Sequence, residues 1–161
     1  MIIKFTLNNE KVSINVDPGA TLSEVLRNEF KLYSVNECCT SGNCGGCTVL
    51  KDKLPVPACM VKMYSVKNSN ILTFEHIMTT KEFDVIKKVF DACECKFCDF
   101  CRHGKFMTIY ALLKSNSALS EKDIYEALSG NTCSCTDFTS LCTAIKLASN
   151  ALKRGKRAER K

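Results

Sequence analysis

The apolar positions follow two different periods along the chain. Ile3, Phe5 and Leu7 alternate with polar neighbours, and Val12, Ile14 and Val16 alternate again after Asn8-Asn9-Glu10. A period of two sends alternate side chains to one face of a strand, so this stretch predicts a β-hairpin. Asp17-Pro18-Gly19 ends it. Thr21, with Glu24 three places on, has the pattern of a capping box, and Leu22, Val25, Leu26 and Phe30 give the short helix behind it an apolar face. Further on, Thr48-Val49-Leu50 reads as a strand, Asp52-Lys53 as a turn, and Leu54 to Ala58 as extended chain held open by Pro55 and Pro57. Beyond the turn at Asn68-Ser69-Asn70, the residues Ile71, Leu72 and Phe74 are expected to close a small sheet.

The polar stretch from Glu75 to Lys81 separates this half from one with a period of three and four. Phe83, Ile86, Val89 and Phe90 share one helical face, and Phe106, Ile109, Tyr110 and Leu113 share another. Ser120 with Asp123 caps a third helix carrying Ile124, Ala127 and Leu128, and Leu141, Ala144, Ile145, Ala148 and Leu152 mark a fourth. Such stripes are read as core, and four short helices with short links predict a small bundle. The expected class is α+β: a sheet domain over residues 1–75, a helical domain over 82–152, and a basic tail over 153–161.

Composition narrows the function classes. A chain of 161 residues that is 45% hydrophobic is a folded protein of one ordinary domain or two small ones. No run approaches the roughly eighteen apolar residues that mark a membrane-spanning helix, so no membrane insertion is expected. The net charge of +6 is concentrated at the end, where Lys153, Arg154, Lys156, Arg157, Arg160 and Lys161 stand against Glu159 and supply +5 of it. A nucleic-acid partner would rest on that tail alone. It is read instead as a frayed, solvated terminus, with docking on an acidic partner as the alternative. Twelve cysteines exceed what a core needs. The chain begins M-I-I-K-F-T-L, with neither a basic-then-apolar leader nor a twin arginine, which points to the cytoplasm and hence to metal ligands over disulfides.

Four of the cysteines stand as Cys39-x4-Cys44-x2-Cys47-x11-Cys59 within C-T-S-G-N-C-G-G-C-T-V. This is the plant-type ferredoxin spacing for one [2Fe–2S] cluster. A short loop can offer three thiolates if its backbone wraps closely, and Gly42, Gly45 and Gly46 supply the freedom and clearance for that, with loop N–H groups as donors to sulfur. The fourth comes from a separate segment, as Cys59 does. A zinc site or free thiols are the alternatives. Hairpin, helix, then metal loop is the order of a β-grasp ferredoxin.

The helical half carries Cys98-x2-Cys101 before one helix and Cys133-x1-Cys135 before another. A C-x-C pair is awkward for a zinc ribbon, which favours two C-x2-C knuckles, and suits a two-iron cluster. Cys95-Lys96-Phe97-Cys98 and Cys98-Asp99-Phe100-Cys101 both read C-x-F-C. Gly104, three residues past Cys101, reads as a turn glycine opening the apolar helix and favours Cys98 and Cys101 as the ligands. Arg102 reads equally as a charge favouring a reduced cluster or as a surface residue. Cys93 and Cys142 read as small buried hydrophobes, and His76 and His103 as surface or capping residues. Cys38 and Cys95 are the alternative ligands.

Together these motifs resemble the iron–sulfur subunit, or iron–sulfur portion, of the molybdenum hydroxylases, the family of xanthine dehydrogenase, aldehyde oxidoreductase and aerobic carbon monoxide dehydrogenase. The family pattern G-C-x-x-G-x-C-G-A-C-T-V appears as Cys38 to Val49, Q-C-G-F-C-T-P-G as Phe97 to Gly104, and G-N-x-C-R-C-T-G-Y as Gly130 to Phe138. The resemblance spans the first strand to about Leu147. All eight ligand cysteines are kept. Phe97 replaces a glutamine that lies near the pterin, Arg102-His103 a Thr-Pro, Ser134 an arginine between the last two ligands, and Asp137-Phe138 a Gly-Tyr.

The resemblance implies two [2Fe–2S] clusters here, with the molybdenum–pterin cofactor on a large partner subunit and FAD on another, in a hetero-oligomer. It implies that the Cys98, Cys101, Cys133 and Cys135 cluster is the nearer to molybdenum and that the Cys39, Cys44, Cys47 and Cys59 cluster passes electrons toward flavin. No substrate-converting residue is expected in this chain. The rival readings are a stand-alone two-cluster ferredoxin and a metal-dependent redox sensor or structural zinc protein.

Overall fold

The computed structural model describes residues 1–115 and 119–158. Two-residue turns set the sheet. Asn8 and Asn9 both take positive φ between β1 (Ile2–Leu7) and β2 (Glu10–Asn15), and Asp52 and Lys53 do the same between β3 (Thr48–Lys51) and β4 (Leu54–Pro57). Such turns match the right-handed twist of the strands they join. Strand β5 (Asn70–Leu72) runs parallel to β1 and antiparallel to β3, giving the order β2-β1-β5-β3-β4. Pro55 and Pro57 lack an N–H for a ladder, and β4 is indeed an edge strand.

Helix α1 (Leu22–Asn28) starts on the expected box, with Thr21 Oγ1 accepting from the Glu24 N–H and the Glu24 carboxylate accepting from the Thr21 N–H. Its buried Leu22, Val25 and Leu26 join Ile3, Phe5, Leu7, Val49 and Ile71 in the first core. The second core gathers α3 (Lys81–Ala92), α4 (Arg102–Ser115), α5 (Glu121–Leu128) and α6 (Phe138–Ala158). Ser120 and Asp123 cap α5 reciprocally. Helix α4 differs from the others: Gly104 to Ala111 are all buried, because it packs on β3 and β4 as well as on α5 and α6. A helix enclosed on every side has no polar face.

Three details depart from the sequence reading. Phe74 does not end the closing strand. It opens a short helix, α2 (Phe74–Ile77), and stacks edge-on with Phe83 and Phe106 in the helical core. Its aromatic surface finds more to bury there than at the rim of a three-residue strand. Helix α6 does not fray at Leu152, and runs to Ala158 with Lys153 and Arg154 exposed. The end of the basic tail, 159–161, lies outside the described residues. Gly104 is not in a turn, since it sits in the first turn of α4.

A half-buried carboxylate ties the halves together. Glu75 accepts from the Ser34 N–H at 3.0 Å, the Ser34 hydroxyl at 2.7 Å and the Thr73 hydroxyl at 2.6 Å, while Thr73 also pairs with Asn8 of the first hairpin turn. Burial alone would raise the Glu75 pKa, but the Thr73 and Ser34 donors outweigh it and hold it below the ordinary 4.5. A depressed carboxylate stabilises the fold above its unfolded pKa, and this contribution is lost as pH falls through the folded value. Glu75→Ala is therefore expected to lower the unfolding free energy by about 2 kcal/mol at neutral pH. In urea titrations the gap from wild type should close as the pH is taken well below 4.5.

Candidate metal centres

The first candidate centre is built on the loop between α1 and β3. Gly42 and Gly45 take φ of 78° and 71°, which turn the chain back so that its N–H groups point inward. Cys44 donates its N–H to Cys39 Sγ, and Gly46 donates to Cys44 Sγ, both at 3.4 Å. Gly46 is needed for clearance, because a side chain there would begin 3.1 Å from the Asn36 carbonyl. Cys59 arrives in the 3₁₀ turn after β4, and its N–H and thiol face Cys47. The four cysteines therefore form two neighbouring pairs, Cys39 with Cys44 and Cys47 with Cys59.

Backbone N–H groups of Ser41 and Cys44 lower the Cys39 thiol to about 6. Burial pushes Cys47 up to about 12. A buried thiol of that kind becomes a thiolate only when a cation takes the place of its proton. Paired thiols with inward N–H donors fit a two-iron, two-sulfide cluster, in which each iron takes two protein thiolates.

The second candidate centre draws on two segments. Cys98 and Cys101 lie in the turn just before α4, and Cys133 and Cys135 lie in the loop before α6. Their four Sγ atoms lie within 4.8 Å of one another, with Cys101 to Cys135 at 3.2 Å, Cys98 to Cys133 at 3.4 Å and Cys98 to Cys101 at 3.5 Å. The Cys98 N–H donates to Cys135 Sγ at 3.4 Å. Burial raises the Cys101 thiol, and the Cys98 N–H, acting against desolvation, brings Cys135 down to about 6. A knot of four thiols with opposed proton affinities and a backbone donor suits thiolate ligation of iron.

The other cysteines stay outside this group. Cys95 is buried, with its thiol directed at the Ser140 carbonyl at 3.7 Å, and Cys142 is buried in the helical core. Cys93 packs against that core, and Cys38 is exposed, with its thiol against Cys44 of the first centre. His103 stacks on Phe74 at 4.7 Å and His76 faces Asn9. Arg102 is exposed and ion-paired with Asp99 at 3.4 Å.

The two centres meet at a backbone contact. A Cβ on Gly104 would lie 1.9 Å from the Gly45 carbonyl oxygen, and one on Gly45 would lie 2.0 Å from Asn131 Nδ2 and 2.6 Å from the Gly130 carbonyl. The first cysteine loop thus rests directly on the N-terminal turn of α4 and on the loop that leads to Cys133. One residue here was missed from sequence: Lys105, buried beside the second centre, donates to the Cys133 carbonyl at 2.6 Å. Its signal in the sequence is weak, because Arg102 and His103 stand just before it and the apolar run begins only at Phe106.

Comparison with known proteins agrees with this geometry. Residues 5–68 match the 2Fe-2S iron-sulfur cluster binding domain, and residues 73–146 match the [2Fe-2S] binding domain. The nicotinate dehydrogenase small FeS subunit of Eubacterium barkeri is 33% identical over 91% of this chain and 93% of its own length. The chain belongs to the small iron–sulfur subunits of the molybdenum hydroxylases. Among solved structures of this family, quinoline 2-oxidoreductase from Pseudomonas putida superposes with a TM-score of 0.84 at 29% identity, covering 96% of this chain and 97% of that one. The aldehyde oxidoreductase of Desulfovibrio desulfuricans gives the same TM-score at 31% identity, with 96% of this chain covering 17% of that much longer one. A subunit in one protein is thus a segment of a longer chain in another.

The Gly45–Gly104 contact supports a test of the packing that joins the centres. Gly104→Ala meets backbone that cannot turn aside, and is expected to destabilise the protein by about 1–3 kcal/mol or to displace the first cysteine loop. Gly130→Ala has open space around it and serves as the control, with little change in melting temperature.

Proposed function

We propose that this chain is the electron relay of a molybdenum-dependent hydroxylase complex. Cys39, Cys44, Cys47 and Cys59 would hold one [2Fe–2S] cluster, and Cys98, Cys101, Cys133 and Cys135 the other. Each cluster supplies a site that accepts one electron at a time. The chain itself contributes the thiolates, the N–H donors that stabilise negative charge on sulfur, and the packing that brings the two sites together. Electrons would enter at the second centre from molybdenum in a large subunit and leave from the first toward a flavin subunit or another acceptor.

The observation that carries this reading is the direct seating of the first cysteine loop on α4 and the Gly130–Asn131 turn. Two separate metal domains would not need it. A relay does, because the centres must be held at a fixed short separation. Exposed Cys135 gives the second centre an outward face for a partner, and no helix among the described residues is long and apolar enough to cross a membrane. A soluble, cytoplasmic hetero-oligomer fits these features.

Analysis of the native complex tests the assignment. About four irons and four sulfides per chain, with two electron paramagnetic resonance signals on reduction and molybdenum on a co-eluting larger protein, is the expected result. Cys59→Ser should remove one signal and Cys133→Ser the other. Zinc in place of iron, or two irons that both depend on one cysteine set, would overturn it.

A further inference from the structure

Lys105 is 3% exposed, and among the described residues no carboxylate forms an ion pair with it. A lysine in that position is unusual, since an unpaired buried ammonium loses most of its hydration. What surrounds it is the second cysteine centre. Its Nζ donates to the Cys133 carbonyl at 2.6 Å and stands 6.0 Å from the centroid of the Phe97 ring, which itself packs edge-on against Phe90. It also lines a cavity of about 540 Å³ with Asn131, Cys133 and Ser134. Asp137, the carboxylate of that cavity, is occupied by the Ser140 N–H and hydroxyl.

Two of the departures from the family pattern meet at this lysine. Ser134 stands where the pattern has an arginine between the last two cysteines, so the charge is absent from that loop. Lys105 brings a cation to the same loop from α4. Phe97 stands where the pattern has a glutamine, and its ring face is turned to Nζ, an arrangement that attracts a cation.

We propose that Lys105 is a tuning residue, a fixed buried charge that raises the reduction potential of the centre formed by Cys98, Cys101, Cys133 and Cys135. This rests on the iron–sulfur reading above. Reduction there adds one electron and no proton, so the thiolate-bound centre gains one negative charge and no bond forms or breaks. A nearby positive charge in a poorly screened interior stabilises the reduced form more than the oxidised one. Arg102 cannot substitute for it, being exposed and already paired with Asp99.

The experiment is a potentiometric titration of the full chain in its native complex, with dithionite as reductant and both signals followed by electron paramagnetic resonance. Lys105→Met and Lys105→Gln are expected to lower the potential of the signal that Cys133→Ser abolishes, by at least tenfold in the reduced-to-oxidised ratio at fixed poise, which is about 59 mV for one electron. The other signal should move far less. Lys105→Arg should restore most of the potential, Arg102→Gln should have a smaller effect, and the Lys105 shift should persist at high salt. Equal movement of both signals, an unmoved potential in the neutral variants, or a shift in Lys105→Arg as large as in Lys105→Met would overturn the proposal. So would loss of iron in both neutral variants with retention in Lys105→Arg, which would make the lysine a structural prop. A wild-type chain without two clusters would instead defeat the relay reading, and it is recognised from the iron count before any variant is made.

Discussion

The architecture depends on one contact between two stretches of backbone, the Gly45 carbonyl against Gly104 in the first turn of α4. A side chain on Gly104 would force these stretches apart, and one on Gly45 would push the loop away from Gly130 and Asn131. Around that point the remaining arrangement follows. The loop carrying Cys39, Cys44 and Cys47 leads into β3 and is seated on the first turn of α4, a helix buried along eight consecutive residues. The helix in turn starts one residue after Cys101, so packing between the halves also places a ligand candidate of the second centre. Glu75 acts at a second point, gathering donors from the loop after α1 and from the end of β5.

Much of this was legible in the sequence because it is written in local signals. Turn residues announced both hairpins, Thr21 and Ser120 announced their helices, and the cysteine spacings announced two metal centres in two kinds of fold. The edge position of β4 was implicit in its prolines. What was not legible is contact between distant segments. Gly104 looked like a turn residue because glycine serves both turning and close approach, and only the fold shows which. Phe74 looked like strand because β5 ends only two residues before it, at Leu72. Its partners Phe83 and Phe106 lie on other helices.

Lys105 illustrates the same limit at the candidate site. In sequence it is one cation among twenty-three. Its meaning comes from Phe97 and Cys133, which approach it from opposite directions along the chain. The family pattern supplied the positions at which this chain differs, and the structure sets Lys105 against one of them, Phe97, and in one cavity with another, Ser134. Substitutions that look unrelated along the chain thus share one lysine as a neighbour.

The proline edge of the sheet has a consequence for how such a chain survives before it is complete. Without a cluster the cysteine loops lack a shared ligand, and the sheet is the part of the chain that a neighbouring chain could extend. Strand β4 offers a neighbouring chain two prolines where a ladder would need donors, and β2 at the opposite edge carries Glu10 and Lys11. Neither border invites a further strand. Both borders of the sheet are thus closed to edge-on pairing by their composition, whatever the cysteine loops hold.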